Sequence, residues 1–304
     1  MTRAAGETTA RPSAWRAWML AARIPTLPAA VAPVVVGTTA AAHAGAVYPL
    51  AATGALVVAL AIQVGTNLAN DALDFLRGAD GATRRGPLRV THGGLLPARQ
   101  VLTGAYLCFA VAALVGLLFV RLYGWPVLAA GVLAIAAGLA YTAGPWPLAY
   151  HGLGELFVFI FFGVVAVVGT AYVQLGRVDS VAVVTSVPVG LLVTAILVVN
   201  NLRDIETDRA AGKWTLAVRL GAGWTRALYV VCAAGVVATP VMLWAAGAGG
   251  SWFWLPWLAL PVAVPLTWAV VTRSDGPTLN YALRRTAQLH LLFSALLGAA
   301  LLWR

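Results

Sequence analysis

Hydrophobic residues along this chain run in blocks of roughly 20 broken by short polar segments, a pattern that neither a half-buried strand nor the single stripe of a soluble helix produces. Nine blocks are read: 27–46, 49–76, 98–120, 125–142, 153–176, 181–203, 226–246, 252–271 and 286–303. Because an α-helix needs about 20 apolar residues to cross a bilayer core, the pattern predicts an all-α, polytopic membrane protein, a bundle of nine transmembrane helices. Residues 1–22 are polar and Arg-bearing, with no apolar core ahead of a cleavage site. They read as a cytoplasmic tail rather than a signal peptide, followed by one transmembrane domain over 23–304. The second and sixth blocks run on at their C-terminal ends into Asn- and Asp-bearing sequence, so the same helices are expected to carry polar groups out of the lipid there.

Composition removes the soluble alternative: 61% of the 304 residues are hydrophobic and 10% charged, and the mean hydropathy is +0.86. Such a chain in water would expose apolar surface on every side. Charge then orients the bundle, since cytoplasmic loops beside spans collect Lys and Arg. With the N-terminus inside, 17 of the 20 basic residues fall on the cytoplasmic side and only Arg121, Arg177 and Arg304 on the other. Nineteen of the 20 are Arg, which with abundant Ala and Gly suggests a GC-rich bacterial genome and hence the bacterial cell membrane. The net charge of +10 is divided among juxtamembrane loops and forms no single stripe, so no nucleic-acid partner is implied. Cys108 and Cys232 sit within apolar blocks and read as small buried hydrophobes.

Six of the ten acidic residues gather in two segments. The first closes the second block: Asn67, Asn70, Asp71, Asp74, Arg77 and Asp80. At 100° per residue Asn67, Asp71 and Asp74 fall within about 60° and share one helix face. The second closes the sixth block: Asn200, Asn201, Arg203, Asp204, Glu206 and Asp208, with Asp204 and Asp208 an i,i+4 pair and Asn200 one turn earlier. Both lie at the cytoplasmic end of an even-numbered span, so a bundle can set them face to face. The competing reading, ordinary solvated acids where helices leave the bilayer, is weakened by their clustering. Carboxylates spaced i,i+3 and i,i+4 repel, and an ionised one near lipid is costly, so a compensating cation is expected. Mg²⁺ with a diphosphate fits, because it takes one or two carboxylates and completes its shell with water and phosphate oxygens. Arg and Lys from the flanking loops complete the anion site. Lys213 stands out as the only lysine of the chain, although a snorkelling juxtamembrane role remains open for it.

These motifs resemble the UbiA-type superfamily of intramembrane prenyltransferases, with Asn70 to Asp74 matching its Asn-Asp-x-x-Asp motif and Asp204 to Asp208 its Asp-x-x-x-Asp motif. Further stretches are similar to the branch that prenylates 1,4-dihydroxy-2-naphthoate in menaquinone synthesis: Arg23 to Pro28, Gly86 to Arg89, Tyr141 to Pro145, Gly152 to Glu155, Asn200 to Asp204, Gly212 to Val218 and Leu279-Asn280. Ile24 and His92 depart from that branch's pattern. The resemblance implies a central cavity and a Mg²⁺-dependent diphosphate site at its cytoplasmic end. It also implies a polyprenyl diphosphate and an aromatic acid as substrates, with lipid around the bundle. Asp71, Asp74, Asp204 and Asp208 are expected as metal ligands and, with Lys213, as catalytic residues. Arg23, Asn67, Asn70, Arg77, Arg89, Tyr141, Glu155, Asn200 and Arg203 are expected to bind substrate. Departure of diphosphate would leave an allylic cation facing aromatic rings such as Tyr141, Phe157, Phe161 and Phe162, and Glu155 would orient or deprotonate a ring hydroxyl. His92 and His151 are lesser acid–base candidates. Pro25, Pro28 and Pro33 are expected to bend the first span so that Arg23 faces the diphosphate. Rival readings are another acceptor such as 4-hydroxybenzoate, and a cation-coupled transporter. The transporter fits less well, since its site would lie near mid-membrane whereas these acids follow a full span.

Overall fold

A computed structural model describes residues 12–78 and 89–303. Asp80, Arg84, Arg85, Gly86 and Pro87 of the first polar segment, Arg3 and Arg11 of the tail, and Arg304 lie outside the described residues. Within them the chain is helical with no strand: α1 (Ala14–Ala22), α2 (Pro28–His43), α3 (Pro49–Leu76), α4 (Ala98–Tyr123), α5 (Trp125–Ala140), α6 (Gly154–Leu175), α7 (Ser180–Ala210), α8 (Leu216–Ala245), α9 (Leu255–Thr272) and α10 (Gly276–Leu302). Helix starts are set locally. Pro28, Pro49, Pro126 and Pro277 occupy first-turn positions where no N–H is needed. Asp179, Thr215 and Asp275 accept backbone N–H bonds as caps, Asp179 from Val181 and Ala182 at 3.0 and 3.1 Å.

Among the described residues seven helices are long and apolar enough to cross a membrane, and eight if the bent pair 14–26 and 28–43 is one span. The expected count of nine is not confirmed. The difference lies at α5, whose 16 residues extend only about 24 Å at 1.5 Å per residue, and at the first span. That span breaks where expected. Arg23 takes a left-handed backbone, φ 53°, and the two arms meet at 51°. The last part of the expected tail is itself helix, with Ala17 and Ala21 packed on Leu68, Ala69 and Ala72 of α3.

α7 is the central element. Two thirds of its most apolar window is buried, against 22% for α4 at the periphery. It packs against α8, α10, α2 and α6 in one core containing Leu192, Val199, Leu289 and Phe293. The crossing with α6 is close because Gly163 meets Gly190, and Phe159 in turn lies on Gly190. Here α6 widens into a π-helical stretch, Phe159–Val165. On the other side Tyr229 of α8 bonds Thr286 of α10 at 3.0 Å, both fully buried. Because Thr286 Oγ1 also donates to the Ala282 carbonyl, the Tyr229 hydroxyl is the donor. Tyr229→Phe is therefore expected to destabilise the bundle by about 1 kcal/mol, read as a lower midpoint of thermal unfolding in detergent.

Candidate active site

The polar ends of α3 and α7 meet the segments 89–91, 141–153 and 211–215. On α3, Asp71 and Asp74 are 2% and 4% exposed, and a carboxylate so buried must be compensated. The chain after α3 does this for Asp71: the Val90 and Thr91 N–H groups donate to it at 3.2 and 3.0 Å, and Thr91 Oγ1 donates a further short bond. Asp74 holds cations. Arg89 lies 2.6 Å and Lys213 3.1 Å from its Oδ2, and the Tyr150 hydroxyl donates to Oδ1 at 3.3 Å. Arg89 also donates to the Asn70 carbonyl at 3.0 Å, while the Asn70 side chain accepts from Thr142 at 2.6 Å.

Lys213 reaches α3 because α7 ends in a tight turn. Gly212 adopts φ 70°, which a residue without Cβ takes freely, and the Lys213 N–H folds back onto the Asp208 carbonyl at 2.8 Å. Trp214 N–H then donates to the Tyr150 carbonyl at 3.2 Å, and the Lys213 ammonium stands 5.0 Å over the Tyr150 ring. Arg77, 5.8 Å from the same ring, donates to the Gly144 carbonyl at 2.5 Å. Tyr150 thus joins the α3 end to the α7 end. Burial, and then the Asp74 carboxylate beside it, push its phenol above the ordinary range, so it stays a protonated donor at neutral pH. Tyr150→Phe keeps the ring under Lys213 and is expected to cost activity less than tenfold, about one lost hydrogen bond. Tyr150→Leu, which also removes the cation–π contact, is expected to cost more; steady-state rates of the two variants check the order.

On α7, Arg203 is 4% exposed and fully engaged: it donates to Asp204 at 2.8 and 2.5 Å, to Asn200 at 3.0 Å and to Asn280 of α10 at 2.8 Å. Deeper, buried Glu155 at the start of α6 accepts from Asn201 at 2.8 Å. Tyr141 stands beside it, its hydroxyl 3.3 Å from where a Cβ on Gly154 would sit. Asn67 donates to the Ala22 carbonyl and to Thr26, both at 3.0 Å. Thr26 donates to the Arg23 carbonyl at 2.9 Å, so Asn67 secures the break in the first span.

The expected residues are therefore brought together in part. Asn70, Asp71, Asp74, Arg89 and Lys213 form one linked group, Asn200, Arg203 and Asp204 a second, and Asp208 joins the first through its backbone. The four aspartates do not gather into one metal cage, and no three His, Cys, Asp or Glu side chains come close enough to hold an ion among the described residues. His151 is turned to a structural use, stacked on Trp146 at 4.1 Å with Nδ1 2.8 Å from the Pro147 carbonyl; His92 is exposed in the 89–97 segment. Sequence reasoning gave no role to Thr91, Thr142, Tyr150, Asn201 or Asn280. Thr142, Asn201 and Asn280 do lie within the stretches that carry the family likeness, which was the available signal for them.

The UbiA prenyltransferase family model matches residues 30–292. The chain belongs to the UbiA prenyltransferase family. Among UbiA-family relatives, it is 42% identical over 93% of its length to the 1,4-dihydroxy-2-naphthoate octaprenyltransferase of Mycobacterium tuberculosis, covering 96% of that protein. It is 35% identical to the protein of the same name in Escherichia coli, over 90% of this chain and 91% of that one. The UbiA homolog of Archaeoglobus fulgidus bound to GPP and Mg²⁺ superposes with a TM-score of 0.67 at 16% identity, over 94% of this chain and 99% of that one, which shows a common fold. Spans and family together make this a multi-pass membrane protein.

Proposed function

We propose that this protein transfers a polyprenyl group from polyprenyl diphosphate to 1,4-dihydroxy-2-naphthoate, with loss of CO₂ and diphosphate, giving demethylmenaquinol. The observation that carries the reading is the paired carboxylates at the ends of α3 and α7, set in a shell of Arg and Lys, in a chain whose UbiA-family relatives bear that activity in their names. Residues 23–304 act as one transmembrane domain of the bacterial cell membrane, with 1–22 and the site on the cytoplasmic side.

Asp71, Asp74, Asp204 and Asp208 would hold Mg²⁺, two carboxylates from each helix. The donors suit the ion in kind, being all oxygen, with Asp71 and Asp74 buried and oriented by fixed donors; because the four do not gather into one cage, each helix's pair would take its own ion, since Mg²⁺ needs one or two carboxylates and leaves the rest of its shell to water and phosphate. When bound, it supplies positive charge against the departing diphosphate. The residues of the chain do the rest. Arg89 and Lys213, held ready on Asp74, offer a bidentate fork and a point charge to the same anion, and Arg23, Arg77 and Arg203 add to the basic field that draws it in. Asn67, Asn70 and Asn200 fix the helix ends, and Tyr141 and Glu155 line the side where the acceptor ring binds. Glu155, steadied by Asn201, accepts a hydrogen bond from a ring hydroxyl and so orients the ring for attack.

The test is prenyl transfer from labelled polyprenyl diphosphate to 1,4-dihydroxy-2-naphthoate by purified protein in detergent, with Mg²⁺ or EDTA, beside Asp71→Asn and Asp204→Asn. Product that requires Mg²⁺ and both aspartates is expected. Turnover with 4-hydroxybenzoate but not with the naphthoate would overturn the acceptor, and no turnover with any aromatic acceptor would overturn the enzyme.

A further inference from the structure

The geometry points to a bound anionic phospholipid in the groove between α1 and α4. This groove, about 350 Å³, is lined by Trp18, Arg99, Gln100, Thr103, Gly104 and Leu107. Its shape depends on one residue: a Cβ on Gly104 would lie 2.8 Å from the Trp18 indole, so glycine lets the ring approach α4 closely. Its polarity is graded. Arg99 and Gln100 stand in the first turn of α4, at the membrane surface, and Leu107 lies two turns deeper, about 12 Å along the helix axis. A polar mouth with guanidinium and amide donors above an apolar slot matches a phosphate headgroup above an acyl chain, the Thr103 hydroxyl being spent on the Arg99 carbonyl at 2.9 Å. A free water-soluble phosphate would leave the lower part unfilled.

Charge complementarity decides the class of lipid. Arg99 is exposed, and its guanidinium has no ion-pair or hydrogen-bond partner among the described residues, whereas Arg77, Arg89 and Arg203 of the candidate site are all engaged. An unpaired Arg at the surface of a bilayer gains more from a headgroup of net negative charge than from a zwitterionic one, whose own cation offsets its phosphate. The groove also borders the site. α1 packs through Ala17 and Ala21 on α3, and the carbonyl of its last residue, Ala22, accepts from Asn67, so lipid in the groove clamps α1 against the helix that carries Asp71 and Asp74.

The test uses the full-length protein in lipid nanodiscs and by native mass spectrometry. Replacing part of the phosphatidylcholine by phosphatidylglycerol is expected to raise the thermal midpoint and to leave one phosphatidylglycerol retained. Arg99→Gln should bind that lipid about fivefold more weakly, and Thr103→Trp, which fills the groove without removing charge, should lose it. Arg121→Gln, an equal charge loss at the far end of α4, should keep it. Retention unchanged in both groove variants, or equal loss in Arg121→Gln, would overturn the site. The same thermal shift from inorganic phosphate alone would overturn the lipid as its occupant.

Discussion

Asp74→Asn is expected to abolish prenyl transfer, by 10³-fold or more as an order of magnitude, and to lower stability by about 3 kcal/mol. One carboxylate, 4% exposed, is the shared partner of Arg89 at 2.6 Å, Lys213 at 3.1 Å and the Tyr150 hydroxyl at 3.3 Å. An amide keeps the shape but removes the negative charge, leaving two cations facing each other in a mostly buried space with only neutral groups between them. Asp204→Asn is expected to be milder in stability, because Arg203 keeps Asn200 and Asn280, while its effect on transfer is comparable. Thermal unfolding and single-turnover transfer on the two variants separate these effects. Equal stability losses would mean that Asp74 is not the hub of the charge network.

Gly163→Leu is the second large effect and acts far from the diphosphate. A Cβ at Gly163 would collide with the Gly190 backbone, which cannot rotate away as a side chain can, so α6 and α7 must separate. Overpacking in a core costs about 1 to 3 kcal/mol where side chains can give, and more is expected here. Small residues at such crossings are what let membrane helices approach. Glu155 and Asn201 ride on these same two helices, so activity is expected to fall with stability. Gly169→Ala, one helical segment on, meets nothing within 4 Å and serves as control: it should fold as the parent does or slightly better. A fully folded, active Gly163→Leu protein would show that the α6–α7 crossing has slack.

Much of this was legible in the chain. Lipid as solvent imposes long apolar blocks, and eight of the nine blocks are met by long helices when the broken first span counts as one; the shorter α5 shows that block length by itself does not settle a span. The Asn and Asp clusters were visible because their spacing, i,i+3 and i,i+4, is a property of one helix and needs no knowledge of its neighbours. The break at Arg23 was likewise signalled by nearby prolines.

What only the tertiary structure decided is which groups meet. Nothing in the sequence pairs Asp74 with Lys213, 139 residues away, or hands Asp71 to the backbone of residues 90 and 91 rather than to its fellow aspartates. Those choices follow from the left-handed turn at Gly212, the docking of the 141–153 loop, and the cost of leaving a buried carboxylate without a partner. Helical periodicity is written locally and can be read from the order of residues. Charge pairing across a bundle depends on how far each helix end projects and which loop folds over it, and only packing determines that.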